Sequence, residues 1–140
     1  MTQTIRRVLL VITSAIGFFV GGWAALFPDT FYSSFPGLIF GPWVGVDGPF
    51  NEHLIRDVGA LYLALAAAGI YAAVTSGIQA SRAVGIGWIV FSVPHLAYHL
   101  HHLEGFSALD AIGQVISLSS TIVLAVPLIL ANRTPRKDPS

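Results

Sequence analysis

The sequence contains no cysteine, and its single methionine is Met1. Disulfides, thiolate metal sites and dithiol redox chemistry are therefore excluded, and a thioether copper(I) site has no ligand to use. Charged residues are scarce as well, at 10% of the 140 residues, whereas soluble domains carry about a quarter. Any metal bound by this chain would have to be held by nitrogen and oxygen atoms.

Hydrophobic residues are abundant, at 54% of the chain with a mean hydropathy of +0.73. Four apolar runs each approach the roughly 20 residues that cross about 30 Å of hydrocarbon. They lie at 8–27, 53–75, 83–102 and 109–131. The sequence therefore predicts one all-α domain over residues 1–140, an integral membrane four-helix bundle with a short basic tail at 132–140.

The basic residues predict the orientation of this bundle. Six of the seven flank the apolar runs on one side of the predicted membrane, namely Arg6, Arg7, Arg82, Arg133, Arg136 and Lys137. Lys and Arg concentrate in cytoplasmic connections of membrane proteins. Both termini are therefore expected in the cytoplasm, with all five histidines towards the opposite face.

A long outer loop is predicted between the first and second helices. It is dense in glycine, proline and aromatic residues and has no sustained helical or strand period. Two alternatives remain open for it: an interfacial segment with aromatics such as Phe31 and Trp43 at headgroup depth, or a lid that seals a site at the mouth of the bundle. In the preceding helix, Gly17 and Gly21 form a small-x-x-x-small pair that favours close contact with another helix.

Four of the five histidines lie in the stretch FSVPHLAYHLHHLEG, residues 91–105, at the end of the third apolar run. His95, His99 and His102 are spaced i, i+4, i+7 and share one helical face, whereas His101 points away from it. The second helix places His53 and Asp57 at i, i+4 near the same end. Polar side chains of different helices are therefore expected to meet there.

Depth along the helices selects a centre for this cluster. With about 1.5 Å of rise per residue, His99 and Asp57 both lie roughly 6 to 8 Å from the outer ends of their helices. A carboxylate inside the hydrocarbon region is costly and usually functional. We therefore predict a metal site centred on His99 and Asp57. The expected further ligands are His95, His102 and His53, and the expected supporting residues are Asp110, Gln114, Arg56 and Glu52.

Three functions are compatible with this cluster. Zinc, iron and copper(II) all accept histidine and carboxylate ligands, for catalysis or for metal handling. A b-type haem could take an axial pair such as His53 and His99. The third possibility is a non-catalytic accessory subunit or assembly factor, in which the polar residues hold helices together or carry protons. Whether the protein is an enzyme stays open.

The four-helix layout and the stretch RDVGALYLALAAAG, residues 56–69, resemble the small DoxX-like bacterial membrane proteins. That resemblance implies a fold and a bacterial inner-membrane location, and it carries no activity. The expected partners are the lipid bilayer and either further copies of the chain or a larger membrane protein. Nucleic acid is not an expected partner, because the basic residues form no continuous face.

Overall fold

The computed structural model describes residues 1–130, which form six helices. In chain order these are α1 (Gln3–Leu26), α2 (Pro28–Ser34), α3 (Trp43–Asp47), α4 (Glu52–Thr75), α5 (Ile78–His101) and α6 (Ala108–Leu130). Within this range, α1, α4, α5 and α6 are long and apolar enough to cross a membrane. The predicted all-helical class is confirmed for residues 1–130, and the four long apolar helices indicate a multi-pass membrane protein. Residue 131 and the basic tail at 132–140 lie outside the described residues.

Polar side chains fix the starts of three spanning helices. The Thr2 hydroxyl accepts from the Ile5 backbone N–H at 3.3 Å, and Asn51 Oδ1 accepts from Leu54 N–H at 3.1 Å. The Ser107 hydroxyl accepts from Asp110 N–H at 3.1 Å at the start of α6. Such N-caps satisfy backbone donors that have no partner within the helix. α1 begins at Gln3 and α5 at Ile78, whereas the predicted starts were residues 8 and 83. The predictions counted only the apolar runs, but both helices include a polar first turn before the run.

Small residues bring α1 and α4 into backbone contact. A Cβ atom added to Gly21 would lie 2.7 Å from the Gly59 carbonyl oxygen, and one added to Gly59 would lie 2.5 Å from the Ala25 nitrogen. At Gly17 an added Cβ would meet the Tyr62 carbonyl oxygen at 2.9 Å. Helices in membranes associate through such close packing, because lipid tails are as apolar as the side chains and the hydrophobic effect does not drive the helices together. The close contact predicted from Gly17 and Gly21 is confirmed.

Two arginines of α1 donate hydrogen bonds to the C-terminal end of α4, at one end of the bundle. Arg6 Nη2 donates to the Ser76 carbonyl at 2.7 Å, and Arg7 Nε donates to the Ser76 hydroxyl at 2.9 Å and to the Ala73 carbonyl at 3.1 Å. These groups cap the C-terminal carbonyls of α4, where cations are favoured. We call this end the basic end, and the opposite end, which carries His99, the histidine end.

α5 packs along α6 as the second helix pair. A Cβ on Gly85 would lie 3.0 Å from the Leu128 Cβ, so these helices also approach closely. Trp88, Leu10 and Leu128 are fully buried and join the two pairs in one core. Many other large apolar side chains are exposed along the spanning helices, as expected for surfaces in contact with lipid.

The α1–α4 contact generates a stability prediction. Gly21→Ala should lower the stability of the folded protein by about 1 to 3 kcal/mol, because the added methyl has no space against α4. The measurement is thermal or denaturant unfolding of the detergent-purified protein.

Gly22→Ala is the matched control, because nothing lies within 4 Å of a Cβ at that position. Alanine is the better helix former, so this variant should be neutral or slightly more stable. A Gly21→Ala protein as stable as Gly22→Ala would contradict the close approach of the two helices.

Candidate functional site

The four spanning helices and the connection between α1 and α4 line a partly open cavity of about 850 Å³ towards the histidine end. Its wall is mostly apolar and aromatic, with Val20 from α1, Ile55 from α4 and Leu118 from α6 among the lining side chains. Volumes of about 300 to 1,000 Å³ with a few polar groups are typical of small-molecule sites. The cavity is therefore the candidate functional site.

Residues 27–51, here called the aromatic segment, cover this cavity. Phe31 and Trp43 are each only 6% exposed, and the Phe35 ring packs edge-on against Trp43 with 6.0 Å between centroids. Phe31, Phe35 and Trp43 all line the cavity. These aromatics thus face the bundle interior. This packing corresponds to the predicted cover over the bundle mouth, but Leu38 and Ile39 of the same segment are 101% and 76% exposed, so the interfacial alternative stays open.

Asp110 attaches the aromatic segment to α6. Its Oδ1 accepts from the Gly41 backbone N–H and from Trp43 Nε1, each at 2.9 Å, while Oδ2 accepts from the Ser107 hydroxyl at 2.6 Å. Phe40 packs directly over Gly113, where an added Cβ would come within 2.6 Å of its ring. Asp110, predicted to support a metal site, instead holds the cover of the cavity in place.

Asp47 and His99 form the polar centre of the cavity. Asp47 is the last residue of α3, and its Oδ2 lies 3.4 Å from His99 Nδ1 on α5. The two side chains are only 20% and 12% exposed. Burial raises the pKa of Asp47 above its ordinary value, against the opposing attraction of His99 and His102. The carboxylate that meets His99 is therefore Asp47 of the aromatic segment, and not the predicted Asp57.

Further polar groups extend from this pair into the bundle. The His95 ring lies 4.8 Å from that of His99, in an edge arrangement, and both line the cavity. Gln114 is 2% exposed, and its Oε1 has no hydrogen-bond partner among the described residues. Deeper in, the Thr121 hydroxyl donates to Ser92 at 2.9 Å. Gln114 and Thr121 of α6 thus line the same cavity as His95 and His99.

The predicted residues of α4 lie apart from the His99 pair. His53 Nε2 is 3.3 Å from Asp57 Oδ2, but the two side chains are 88% and 63% exposed. Arg56 donates to Glu52 at 2.8 Å and to the Ala25 carbonyl oxygen, which ties α4 to the end of α1. Exposed ion pairs such as His53–Asp57 and Arg56–Glu52 contribute little to the free energy of unfolding. Neither His53 nor Asp57 lines the cavity, although Glu52 reaches its rim.

His101, the last residue of α5, and His102, its C-cap, are both exposed. His101 Nδ1 and His102 Nδ1 lie 2.7 Å from the carbonyl oxygens of Ala97 and Tyr98, one turn earlier. The His102 ring also stacks on Tyr98 at 4.1 Å. Across residues 1–130, no three His, Asp or Glu side chains are arranged to hold a metal ion together. The predicted metal-binding histidine cluster is therefore not supported by the structure.

Asp47 is the site residue that the sequence pattern did not reveal. It lies in a segment without helical or strand period, so neither helical face nor depth could be assigned to it. The only signal was compositional, since Asp47 is one of few charges within a long aromatic and glycine-rich stretch. Burying such a carboxylate requires a partner, and His99 is the partner that the fold provides.

Comparison of the chain with family models, curated proteins and solved structures finds no match. Function is therefore inferred from the cavity and its polar side chains.

The attachment at Asp110 generates a prediction about the cover. Asp110→Ala should raise amide hydrogen exchange in the aromatic segment by about tenfold or more, because the Gly41 and Trp43 donors lose their acceptor. Exchange in the middle of α1 and α4 should not change. Glu104→Ala, which removes an exposed carboxylate from the α5–α6 connection, is the matched control. Equal exchange in the two variants would show that Asp110 does not hold the cover.

Proposed function

We propose that this chain is a multi-pass membrane protein whose cavity binds one small lipophilic molecule with a polar head. The observation that carries the proposal is a pair of buried oxygen atoms without partners on a mostly apolar cavity wall. They are Asp47 Oδ1 and Gln114 Oε1, and they lie in a cavity that is also lined by His99.

The apolar wall supports a lipophilic occupant. Side chains such as Ile16, Val20 and Leu118 offer no hydrogen bonds, and a cavity of about 850 Å³ is large enough for a molecule of drug or lipid-fragment size. Transfer of apolar ligand surface into such a wall is favourable at roughly 25 cal/mol per Å². Water filling the whole cavity would forgo that gain, so an amphipathic ligand matches the site better.

The polar atoms support a head group towards the histidine end of the cavity. An unsatisfied buried donor or acceptor costs about 1 to 3 kcal/mol, so several together are destabilising unless something binds them. Asp47 and His99 approach one another from α3 and α5, and Gln114 faces the same space from α6. A ligand head at this end would recover those interactions, while its apolar part would occupy the rest of the cavity.

A metal or haem function has less support from these positions. The predicted haem pair, His53 and His99, does not face a common space, because His53 is 88% exposed beside Asp57 while His99 turns its Nδ1 towards Asp47. A Soret band or stoichiometric zinc, iron or copper in the purified protein would contradict the lipophile proposal. If the purified protein held neither a cofactor nor a lipophilic molecule, the accessory-subunit function would be the remaining candidate.

The proposal includes an orientation. The basic end would face the cytoplasm of a bacterial inner membrane, and the histidine end with its cavity would face outwards. The distribution of Lys and Arg supports this, because Arg6 and Arg7 meet the α4–α5 connection at a single end. Further copies of the chain or a larger membrane protein are proposed as neighbours, and the DoxX-like resemblance remains a prediction about the scaffold.

Binding can be tested before the ligand is identified. Native mass spectrometry of protein released from mild detergent should detect one retained small molecule, which solvent extraction would then identify. Leu118→Trp should lower its occupancy by about tenfold or more, because the indole takes up ligand space.

Ile116→Trp is the matched control on the same helix. Ile116 is 65% exposed and does not line the cavity, so this variant should retain the molecule. Wild-type protein without any bound molecule, or equal retention by the two tryptophan variants, would contradict the proposal.

The orientation is tested by thiol labelling, which is clean because the natural chain has no cysteine. Ser34→Cys, exposed at the end of α2, should react with a membrane-impermeant thiol reagent in intact cells. Gln79→Cys, exposed at the start of α5, should react only after the membrane is opened. The reverse pattern would place the histidine end in the cytoplasm.

A further inference from the structure

We infer that the cavity selects a lipophilic molecule whose polar head donates a hydrogen bond, such as an alcohol or a phenol. This inference rests on the proposed function and specifies the ligand of that same site. It depends on which hydrogen-bonding atoms around the cavity are already used within the protein and which remain free.

Asp47 determines which nitrogen of His99 is free. A carboxylate accepts hydrogen bonds, so Asp47 Oδ2, which lies 3.4 Å from His99 Nδ1 without completing a hydrogen bond, favours the neutral tautomer with the proton on Nδ1. The opposite ring nitrogen, Nε2, then has a lone pair and no proton. His99 therefore presents an acceptor to the cavity that it lines.

Two further acceptors lie at the same site. Asp47 Oδ1 and Gln114 Oε1 are buried and have no hydrogen-bond partner within residues 1–130. Both residues line the cavity together with His99. The Gln114 amide also carries donor hydrogens, but the ionised Asp47 carboxylate can only accept.

Several donors around the cavity are occupied within the protein. The Tyr32 hydroxyl donates to the Gly48 carbonyl at 2.9 Å, and Trp43 Nε1 donates to Asp110 at 2.9 Å. On α6, the Ser117 hydroxyl donates to the Gln114 carbonyl at 3.1 Å.

Thr121, deeper in the cavity, donates to Ser92. The hydroxyls of Tyr62 and Tyr98, which also line the cavity, can donate or accept and so do not discriminate between ligands. The buried oxygens without a partner at the cavity, Asp47 Oδ1 and Gln114 Oε1, accept hydrogen bonds and so favour a head that donates. An ether or ketone of the same shape would leave the Asp47 and His99 acceptors unsatisfied.

A matched pair of probes tests this selectivity. 4-Octylphenol and its methyl ether, 4-octylanisole, share a ring and an alkyl chain, but only the phenol donates a hydrogen bond. Their affinities for the full-length protein in detergent can be measured by titration with native mass spectrometry. The wild type should bind the phenol about tenfold or more tightly than the ether.

Two variants locate the origin of the preference. His99→Phe should bring the affinity ratio close to one, and Asp47→Asn should reduce it, because an amide can present N–H to Nδ1 and no longer fixes the proton there. His101→Phe is the control on the same helix, because His101 is exposed and does not line the cavity, and its ratio should match the wild type. Each ratio compares two probes on one protein, so a general loss of stability cannot mimic the effect.

The outcomes separate this inference from the function on which it rests. Tight but equal binding of phenol and ether by the wild type would overturn the donor selectivity and leave the lipophile site standing. Tighter binding of the ether would overturn it as well. Binding of neither probe, together with no retained natural molecule, would overturn both. If His99→Phe does not fold, the wild-type ratio and the Asp47→Asn ratio still decide the question.

Discussion

Backbone contact between α1 and α4 is the constraint on which the rest of the bundle depends. At Gly21 and Gly59 no side chain separates the two helices, so the rotation of α4 about its axis is fixed. That rotation turns Val58 and Tyr62 towards the cavity and leaves Asp57 exposed. The second pair, α5 and α6, meets the first around Trp88 at its core, and the space that remains near the histidine end becomes the cavity.

The cover over that space depends on polar contacts as much as on its aromatic rings. Apolar packing of Phe31 and Trp43 would hold the aromatic segment against the bundle without fixing its register, because dispersion contacts have little directionality. Asp110 supplies direction by accepting from Gly41 and Trp43 together. With that register set, α3 ends where Asp47 meets His99, so one anchor on α6 determines which carboxylate enters the cavity.

Much of the fold could be predicted from the sequence, since hydrophobic length and helical caps are local properties. The predicted run at 53–75 corresponds to α4 at Glu52–Thr75, and the contact expected from Gly17 and Gly21 is present. The site was only partly predictable. Helical spacing correctly indicated that His95 and His99 share a face, but depth alone paired His99 with Asp57. Equal depth does not show which face of α4 turns towards the bundle. Asp57 is two residues from the buried Gly59, which is a rotation of about 200° around the helix, so it lies on the opposite, exposed face. The conformation of the aromatic segment follows from tertiary contacts that no local period encodes.

Charged residues are scarce in this sequence, so the polar atoms that are buried at the cavity require an explanation. On a mostly apolar cavity wall, each buried acceptor without a partner lowers the stability of the ligand-free protein. Asp47 and Gln114 could have been apolar at little structural cost, because the aromatic segment is anchored through Asp110 and the helices through small residues. Their free oxygens therefore add little to the architecture. The energetic penalty of keeping them at the cavity is explained if the ligand brings a donor group that hydrogen-bonds to Asp47 and His99.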